Sequence, residues 1–383
     1  MNSRLDLSFV VSYRHQIFFT ENAFAAKNNI LKELVGVAKV LPIIDAGLVA
    51  TSSAVVSELI EYAKAHQIKL TRAPMILTGG EECKKDQTVV SAILAAIEED
   101  AICRHSYVLV IGGGALLDAV GFASSIAHRG VRLIRMPSTT LSQADAGVGV
   151  KNGINAFQKK NFTGTFSPPY AVINDFAFLK SLSPKNLRDG LVEAVKVALL
   201  KDPEFFKSLE KDSRELAAGN LALISTCIRR SAELHAQHIT QGGDPFELGS
   251  SRPLDLGHWV AHKCETLSKY RLSHGEAVAI GLAVDVLCAR ELGLFSKSES
   301  ERVIDLLIRL GFQLYTPELD INHGDSLMQG LEEFREHLGG QLTLILPTVI
   351  GQSTHVHTLS SEVVKKVTAE LGHRFSSTCA VLS

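Results

Sequence analysis

Tyr107-Val-Leu-Val-Ile-Gly112-Gly113-Gly114-Ala-Leu-Leu-Asp118 joins a short apolar run to three glycines and the beginning of a helical segment. This order is typical of a nucleotide-binding α/β unit, because glycines let backbone N–H groups approach a pyrophosphate and a helix N-terminus favours negative charge. The triplet is not the Gly-x-Gly-x-x-Gly fingerprint, and a tight strand–helix turn without a ligand would look the same. The glycines therefore indicate a strand, a turn and a helix, and leave the nucleotide open.

The rest of the first half alternates between strand-like and helix-like segments. Leu7–Tyr13 and Ile17–Thr20 alternate in polarity, which predicts a hairpin. Strands separated by helices of about 10–15 residues predict a Rossmann-like, mostly parallel sheet with helices on both faces. The remaining apolar runs and the helices between them lie at Ala38–Asp45, Ser52–His66, Lys69–Leu77, Asp86–Glu99, Ala115–Ala127 and Val131–Met136.

After about Phe178 the pattern becomes helical, with one strand pair near Leu342–Leu346. We therefore predict an α/β N-terminal domain over residues 1–178 and a mostly α-helical C-terminal domain over residues 179–383. Ligand sites in such open sheets lie beyond the carboxyl ends of the strands, here facing the second domain. The predicted helices lie near residues 184–217, 219–240, 256–270, 274–294, 298–311 and 325–338.

Composition excludes several classes of function. The 39 Lys and Arg residues nearly balance 41 Asp and Glu, so the net charge is −2, which argues against a nucleic-acid or membrane-surface binder. No apolar run approaches the ~20 residues of a membrane-spanning helix. The six cysteines are scattered, with no Cys-x-x-Cys pair, and no signal-peptide pattern appears. These features predict a cytoplasmic protein with reduced thiols.

Two further strand ends carry polar groups that favour a nucleotide. Asp45 ends an apolar run, where a carboxylate could hold a ribose hydroxyl. Gly79-Gly80-Glu81, with Lys84, forms another turn at the end of a strand. Three such features on one rim of a sheet match the needs of a dinucleotide cleft.

Candidate metal ligands occur in the helical half. Glu193 precedes Lys196 by one helical turn, and His258 and His262 have the i, i+4 spacing that puts both imidazoles on one helix face. His274 opens a later helix. One carboxylate and two imidazoles would leave open positions on a Zn²⁺-type ion, which is the catalytic pattern. The residues alone do not indicate which two histidines bind, and unrelated helix histidines remain the alternative.

An anion-binding stretch is predicted between the two domains. It runs from Asp145 through Lys151 to Lys160-Asn161 and is rich in Gly and Lys. Together with Arg129, these side chains could neutralise a phosphate monoester. The alternative is a solvated surface loop.

These motifs, in this order, resemble the sugar-phosphate cyclase family, which includes 3-dehydroquinate synthase. The resemblance covers about Asp45 to Leu346, and is nearest to the sedoheptulose 7-phosphate cyclases of the 2-epi-valiolone synthase type. The shared motifs are Gly-Gly-Gly-x3-Asp118, Pro137-Ser-Thr-Thr140-Leu-Ser-Gln-x-Asp145, Lys151-x-Gly-x-Asn155, Lys160-Asn161, Glu193-Ala-Val-Lys196, Gly257-His258-x3-His262 and His274-Gly-Glu-Ala-Val.

The resemblance implies a homodimeric lyase that eliminates phosphate from a sugar phosphate with the help of NAD and a metal. It places Zn²⁺ (or Co²⁺) on Glu193, His258 and His274. The implied catalytic residues are His262, Lys196, Asp145 and Lys151. The implied substrate-binding residues are Arg129, Asn161, Lys160, Asp255, Arg252 and Glu247, with Arg129 reaching across the dimer. The implied NAD-binding residues are Asp45, Glu81, Lys84, Gly113, Gly114, Asp118, Thr139, Thr140, Asp145, Lys151 and Lys160.

Departures from the dehydroquinate synthase pattern concern the substrate. Ser251 stands in the slot of the arginine that holds a substrate carboxylate, and Asp255 replaces an asparagine. A lost cation and an added anion disfavour a carboxylate and favour a neutral heptulose phosphate. The alternatives are 3-dehydroquinate synthase itself, a metal-dependent alcohol or glycerol dehydrogenase, and a non-catalytic relative.

Overall fold

The computed structural model describes residues 4–157, 159–242, 254–337 and 339–379. Its strands are β1 (Ile17–Thr20), β2 (Lys39–Asp45), β3 (Lys69–Leu70), β4 (Met75–Leu77), β5 (Tyr107–Gly112), β6 (Arg132–Pro137), β7 (Lys151–Ala156), β8 (Lys159–Phe166), β9 (Ala171–Asp175), β10 (Leu344–Val349) and β11 (Gln352–Val356). Its helices are α1 (Ile30–Val35), α2 (Ala46–Thr51), α3 (Ala54–Ala65), α4 (Thr88–Glu99), α5 (Gly114–Ile126), α6 (Pro184–Asp189), α7 (Leu191–Lys201), α8 (Pro203–Ala217), α9 (Leu221–Gln241), α10 (His258–Leu267), α11 (His274–Glu291), α12 (Lys297–Arg309), α13 (Asp325–His337) and α14 (Ser361–Cys379).

The predicted parallel sheet is confirmed. Seven strands pair in parallel in the order β1-β9-β6-β5-β2-β3, with β4 also beside β2. Strand β5 lies between β2 and β6 and is buried along its whole length. Strands β3 and β4 extend the sheet on the side of β2, and β6 and β9 extend it on the side of β5. The strand order therefore reverses between β2 and β5. Such a reversal opens a crevice at the carboxyl ends of the two strands.

Two predictions about strands are wrong in detail. Residues Leu7–Tyr13 form no hairpin with β1, because β1 pairs in parallel with β9, and Leu7–Tyr13 is exposed and belongs to no strand. Lys69–Leu77 is two short strands, β3 and β4, interrupted around Pro74, whose ring removes a backbone donor. Alternation in polarity indicates an extended backbone but does not identify the partner strand.

The stretch between the predicted domains is a hairpin and not an open loop. Strands β7 and β8 pair in antiparallel fashion, with Gly153 opposite Gly164. A Cβ atom on Gly164 would lie 2.5 Å from the carbonyl oxygen of Asn152, so this crossing requires glycine. The hairpin fixes residues that a solvated loop would leave free.

The second half is helical, as predicted, and is centred on α11. Residues of α11 from Ala277 to Ala289 are buried on every side, which is the pattern of a central helix. Buried side chains from Leu179 to Leu371 surround it, and the predicted strand pair is β10–β11. Two separate apolar clusters line the parallel sheet.

The domain boundary at residue 178 stays a prediction. Among the described residues, no helix is both long and apolar enough to cross a membrane.

Candidate active site

The metal candidates converge between three helices. Glu193 lies on α7, His258 begins α10 and His274 begins α11, and one ligand atom from each lies within 4.8 Å of the others. Oε1 of Glu193 is buried and has no hydrogen-bond partner among the described residues. A buried carboxylate oxygen facing two imidazoles is what a divalent cation would satisfy, so the three residues fit such an ion.

The histidine rings are oriented for ligation. Nδ1 of His258 lies 3.1 Å from the carbonyl oxygen of Leu256, which leaves Nε2 facing Glu193 at 4.0 Å. Burial lowers the pKa of His258 well below its usual range, and the nearby Lys196 and His274 lower it further. His258 is therefore neutral, the form that binds a metal. A hydrogen bond from the other ring nitrogen is the usual way to fix such a ligand.

Glu265 lies beside His274, and the sequence did not predict it as a residue of the site. Its Oε1 lies 3.3 Å from Nδ1 of His274, and Lys160 Nζ lies 2.9 Å from the same oxygen. Burial opposes ionisation of Glu265, but His274 and Lys160 together hold the pKa of this carboxyl well below its usual range. His262, Glu265 and His274 also have clustered donor atoms. Because Lys160 already supplies a cation there, we interpret Glu265 as the group that orients His274. The signal in the sequence was its position three residues after His262.

Lys160 links the two halves of the chain. Its Nζ also lies 3.2 Å from Oε1 of Glu81, which follows β4. Nδ2 of Asn155 donates to the other oxygen of Glu81 at 3.2 Å. Burial lowers the pKa of Lys160, but Glu265 and Glu81 more than compensate, so the net shift is upward. Lys160 is therefore a charged bridge between the hairpin, the rim of the sheet and α10.

Lys84 connects α5 to the β7–β8 hairpin through a second set of polar contacts. This buried side chain donates to Oδ2 of Asp118 on α5 at 2.7 Å and also to the side-chain oxygen of Asn161 on β8. Asp118 follows the glycine turn by one helical turn. Three predicted site residues from separate elements thus meet at one ammonium group.

The glycine turn and Asp45 lie together at the reversal of the sheet. Oδ1 of Asp45 accepts the Gly47 N–H at 2.8 Å, and Oδ2 lies 3.5 Å from the nitrogen of Gly113. A Cβ atom on Gly79 would lie 2.1 Å from the Asp45 carboxylate, so any larger residue there would displace that carboxylate. Gly114 begins α5. A carboxylate beside a helix N-terminus at this crevice has the chemistry that a dinucleotide ribose and pyrophosphate need.

The two threonines after β6 differ. Thr139 lies against the turn, with its Cγ2 3.7 Å from the position of a Cβ on Gly113, and its hydroxyl bonds Ser142. Thr140 is buried, and its hydroxyl donates to the Asn186 carbonyl at 2.6 Å while accepting the Gly190 N–H at 3.2 Å. Thr140 therefore ties the sheet to the start of α7, and its hydroxyl is already committed.

Asp145 and Lys196 form the polar part of the site. Lys196 makes an ion pair with Oε2 of Glu193, and Oδ1 of Asp145 lies 2.9 Å from Nδ1 of His235. Burial opposes the ionisation of Asp145, but Lys196 and His235 hold its pKa well below its usual range. Burial likewise disfavours the Lys196 ammonium, yet Glu193 and Asp145 raise its pKa overall. The site thus holds an ionised Asp145 beside a protonated Lys196. His235 was not singled out from the sequence.

Arg135 supports the loop that carries Asp145. Its guanidinium is fully buried and donates to the carbonyl oxygens of Gly149 and Lys151, both at 2.9 Å, and to Oδ1 of Asn152 at 2.7 Å. Weaker bonds run to the carbonyls of residues 146 and 147. The sequence pattern did not indicate a role for this arginine, because it lies within an apolar strand.

The other predicted residues are distributed as follows. His262 lies on α10 with its ring centroid 5.6 Å from that of His258, and burial, with Lys160 nearby, lowers its pKa well below its usual range.

Lys151 begins β7 and is exposed. The charge of half-buried Asp255 contributes to the raised pKa of Lys196. Arg129 is exposed at the far end of α5. Glu247, Ser251 and Arg252 lie outside the described residues.

Comparisons with known proteins agree with this architecture. The descriptions "3-dehydroquinate synthase N-terminal" and "3-dehydroquinate synthase C-terminal" match residues 74–189 and 190–333. The 2-epi-5-epi-valiolone synthase of Streptomyces glaucescens is 35% identical over 296 residues, covering 76% of this chain and 74% of that protein. The 2-epi-valiolone synthase of Actinosynnema mirum is 33% identical over 292 residues, covering 76% of each.

A solved structure extends the match to nearly the whole chain. The 2-epi-5-epi-valiolone synthase from Streptomyces hygroscopicus subsp. jinggangensis 5008, with NAD⁺ and Zn²⁺ bound, has a TM-score of 0.88 and 27% identity, covering 97% of this chain and all of that one. The chain belongs to the 3-dehydroquinate synthase family of sugar-phosphate cyclases, and the resemblance of its motifs is thereby confirmed.

Proposed function

We propose that this protein is an NAD- and metal-dependent cyclase that converts a heptulose 7-phosphate, sedoheptulose 7-phosphate in particular, to a carbocycle and releases phosphate. The observation that carries the proposal is the convergence of Glu193, His258 and His274 with Lys196 and Asp145. A metal-binding triad next to an ammonium–carboxylate pair suits a polyhydroxylated phosphate ester, because both charges can engage hydroxyl groups.

The two cofactors have separate places. Glu193, His258 and His274 would hold Zn²⁺ or Co²⁺, and the turn at Gly113–Gly114 with Asp45 would hold NAD. When bound, NAD accepts and returns a hydride, and the divalent ion acts as a Lewis acid toward a substrate hydroxyl. A solved relative that binds both groups supports this assignment.

The side chains of the site supply positioning and proton handling. Asp145, ionised beside Lys196, accepts hydrogen bonds from sugar hydroxyls and orients the ring. Lys196, protonated at Nζ, stabilises negative charge that develops on a substrate oxygen. His262 is neutral, because burial lowers its pKa, so its imidazole can accept or donate a hydrogen bond near the metal-binding residues. Oxidation of a ring hydroxyl by NAD would acidify the neighbouring C–H, and loss of that proton would form a C=C bond as the C–O bond to phosphate breaks.

The phosphate is assigned to Lys151, Asn161 and Arg129. Arg129 is exposed at the end of α5 opposite to Gly114, roughly 20 Å along the helix axis. Such a residue cannot easily reach the site of its own chain. Its position supports a homodimer in which each Arg129 binds the phosphate in the other protomer.

Asp255 favours a neutral sugar over a carboxylate. It lies within electrostatic reach of Lys196, so its charge would repel an acidic group of a substrate bound near Lys196. Like charges repel, and a carboxylate there would also lose the arginine that Ser251 replaces.

Phosphate release tests the proposal. The protein is incubated with NAD⁺ and Zn²⁺, and either sedoheptulose 7-phosphate or the carboxylate-bearing precursor of dehydroquinate is added. We expect faster phosphate release from the heptulose and no net formation of NADH, since each cycle returns the hydride. Faster release from the carboxylate would favour a dehydroquinate synthase. Stoichiometric NADH would favour a dehydrogenase, and no turnover of any heptulose phosphate would favour a non-catalytic relative.

A further inference from the structure

Asp285, on a neighbouring helix, accepts hydrogen bonds from the two residues that flank the proposed metal ligand His258 in the sequence. This buried residue of α11 accepts a hydrogen bond from the backbone N–H of Gly257 at 2.6 Å through Oδ2. Through Oδ1 it accepts one from the indole N–H of Trp259 at 2.8 Å. The two donors flank His258 in the sequence. One carboxylate therefore fixes the backbone before this histidine and the side chain after it.

The beginning of α10 has no cap of its own. Gly257 has a left-handed φ of 79° and no side chain to bond the first turn. A Cβ atom on Gly281 of α11 would lie 1.9 Å from the Gly257 carbonyl oxygen, so the two backbones are in direct contact. The placement of His258 relative to His274, at the start of α11, thus depends on the contact between Gly257 and α11.

Burying a carboxylate for this purpose is costly. Burial raises the pKa of Asp285 to about 7, and the bonds to Trp259 and Gly257 offset only part of that cost. A well-packed apolar side chain at such a place is often no less stable than a charged one. A metal site, in contrast, tolerates only about 0.2 Å of error in ligand distances. Burial of the Asp285 carboxylate is therefore better explained by a need to hold His258 in place than by a gain in the stability of the fold.

We propose that Asp285 is a positioning residue of the metal site, which sets His258 through Gly257 and Trp259. The inference rests on the proposed function, because that function assigns the ion to His258. Loss of a residue that orients a metal ligand typically weakens metal binding by about 10–100-fold. No other assigned role of this site uses Asp285.

The experiment measures zinc affinity by competition with a chromophoric chelator. We expect Asp285→Asn to bind Zn²⁺ about 10–100-fold more weakly than the unmodified protein. Trp259→Phe keeps the bond between Asp285 and Gly257, so we expect zinc binding to weaken, but by less than in Asp285→Asn. The single tryptophan also gives a spectroscopic signature, since its emission in metal-free protein should change in Asp285→Asn.

Asp175→Asn is the matched control. Asp175 is another buried carboxylate, and it accepts the backbone N–H groups of Asn22, Ala23 and Ala177 at the end of β9. We expect this variant to lower thermal stability while its zinc affinity stays within about twofold and its tryptophan emission is unchanged. The control separates general destabilisation from misplacement of His258.

Each outcome decides the proposal. Unchanged zinc affinity in folded Asp285→Asn would overturn it, and so would an equal loss in Asp175→Asn. If Asp285→Asn does not fold, Trp259→Phe decides, with weaker binding supporting the proposal and unchanged binding refuting it. Failure of the proposed function appears separately, as zinc binding by the unmodified protein without phosphate release. Absence of zinc binding by the unmodified protein would refute the metal assignment itself.

Discussion

Lys160 Nζ lies 2.9 Å from Oε1 of Glu265, and this ion pair joins β8 to α10. Because Oε1 of Glu265 also faces Nδ1 of His274 at 3.3 Å, the pair connects the hairpin to a proposed metal ligand. Glu81 extends the chain of charges to the end of β4. The rim of the sheet and the helical half are therefore held together by buried charges where the proposed cofactor and metal sites meet.

Removal of the Lys160 charge should destabilise the protein. Lys160→Met leaves the buried Glu265 and the half-buried Glu81 without this cation, and breaking a buried pair from one side costs about 3–5 kcal/mol. We expect a loss of about 3 kcal/mol in the free energy of unfolding by urea. Lys159→Met is the control, since its pair with Glu336 is exposed and should contribute less than about 1 kcal/mol. Equal losses in both variants would contradict this interpretation.

The metal assignment predicts loss of zinc from His274→Ala. Two remaining ligands bind a divalent ion far more weakly than three, so elemental analysis of the purified variant should find well under half of the metal content of the unmodified protein. His323→Ala removes an exposed histidine and should leave the metal content unchanged. Full metal content in His274→Ala would show that another residue completes the site.

Arg135 should be needed for the loop of Asp145. Arg135→Met leaves several buried carbonyl oxygens without a donor, at about 1–3 kcal/mol for each group left unsatisfied. We expect a loss of at least about 3 kcal/mol in unfolding free energy and faster amide hydrogen exchange over residues 146–152. Arg132→Met, on the same strand but half-buried, should leave exchange in this loop unchanged. Protection that persists in Arg135→Met would mean that the hairpin alone holds the loop.

Asp255 should determine the preference between neutral and acidic substrates. Asp255→Asn removes the repulsion of a substrate carboxylate, by ~1 kcal/mol or about fivefold in relative kcat/KM. Side-by-side phosphate release from the two substrates measures this ratio. Asp305→Asn, an exposed carboxylate on α12, should not change it. An unchanged ratio in Asp255→Asn would remove Asp255 from the specificity argument.

The sequence was sufficient to predict the class of fold, because the apolar runs that indicate strands and the spacings that indicate helices are both local features. An apolar run such as Tyr107–Ile111, followed by glycines and a helix, requires a strand that is buried on both faces. The i, i+4 spacing of His258 and His262 likewise follows from one helix alone. The order of the motifs then led to the family, which the comparisons confirm.

Contacts between distant segments could not be read in this way. Arg135 interrupts an apolar strand and Asp285 lies in a long apolar helix, so nothing nearby in sequence marks their partners. The position of Glu265, three residues after His262, does not identify Lys160 and His274 as its partners. Pairing of Leu7–Tyr13 was mispredicted for the same reason, since alternation says nothing about the partner strand. Burial gives these groups their roles, because a charge or polar atom removed from water must find a partner wherever the fold brings one near.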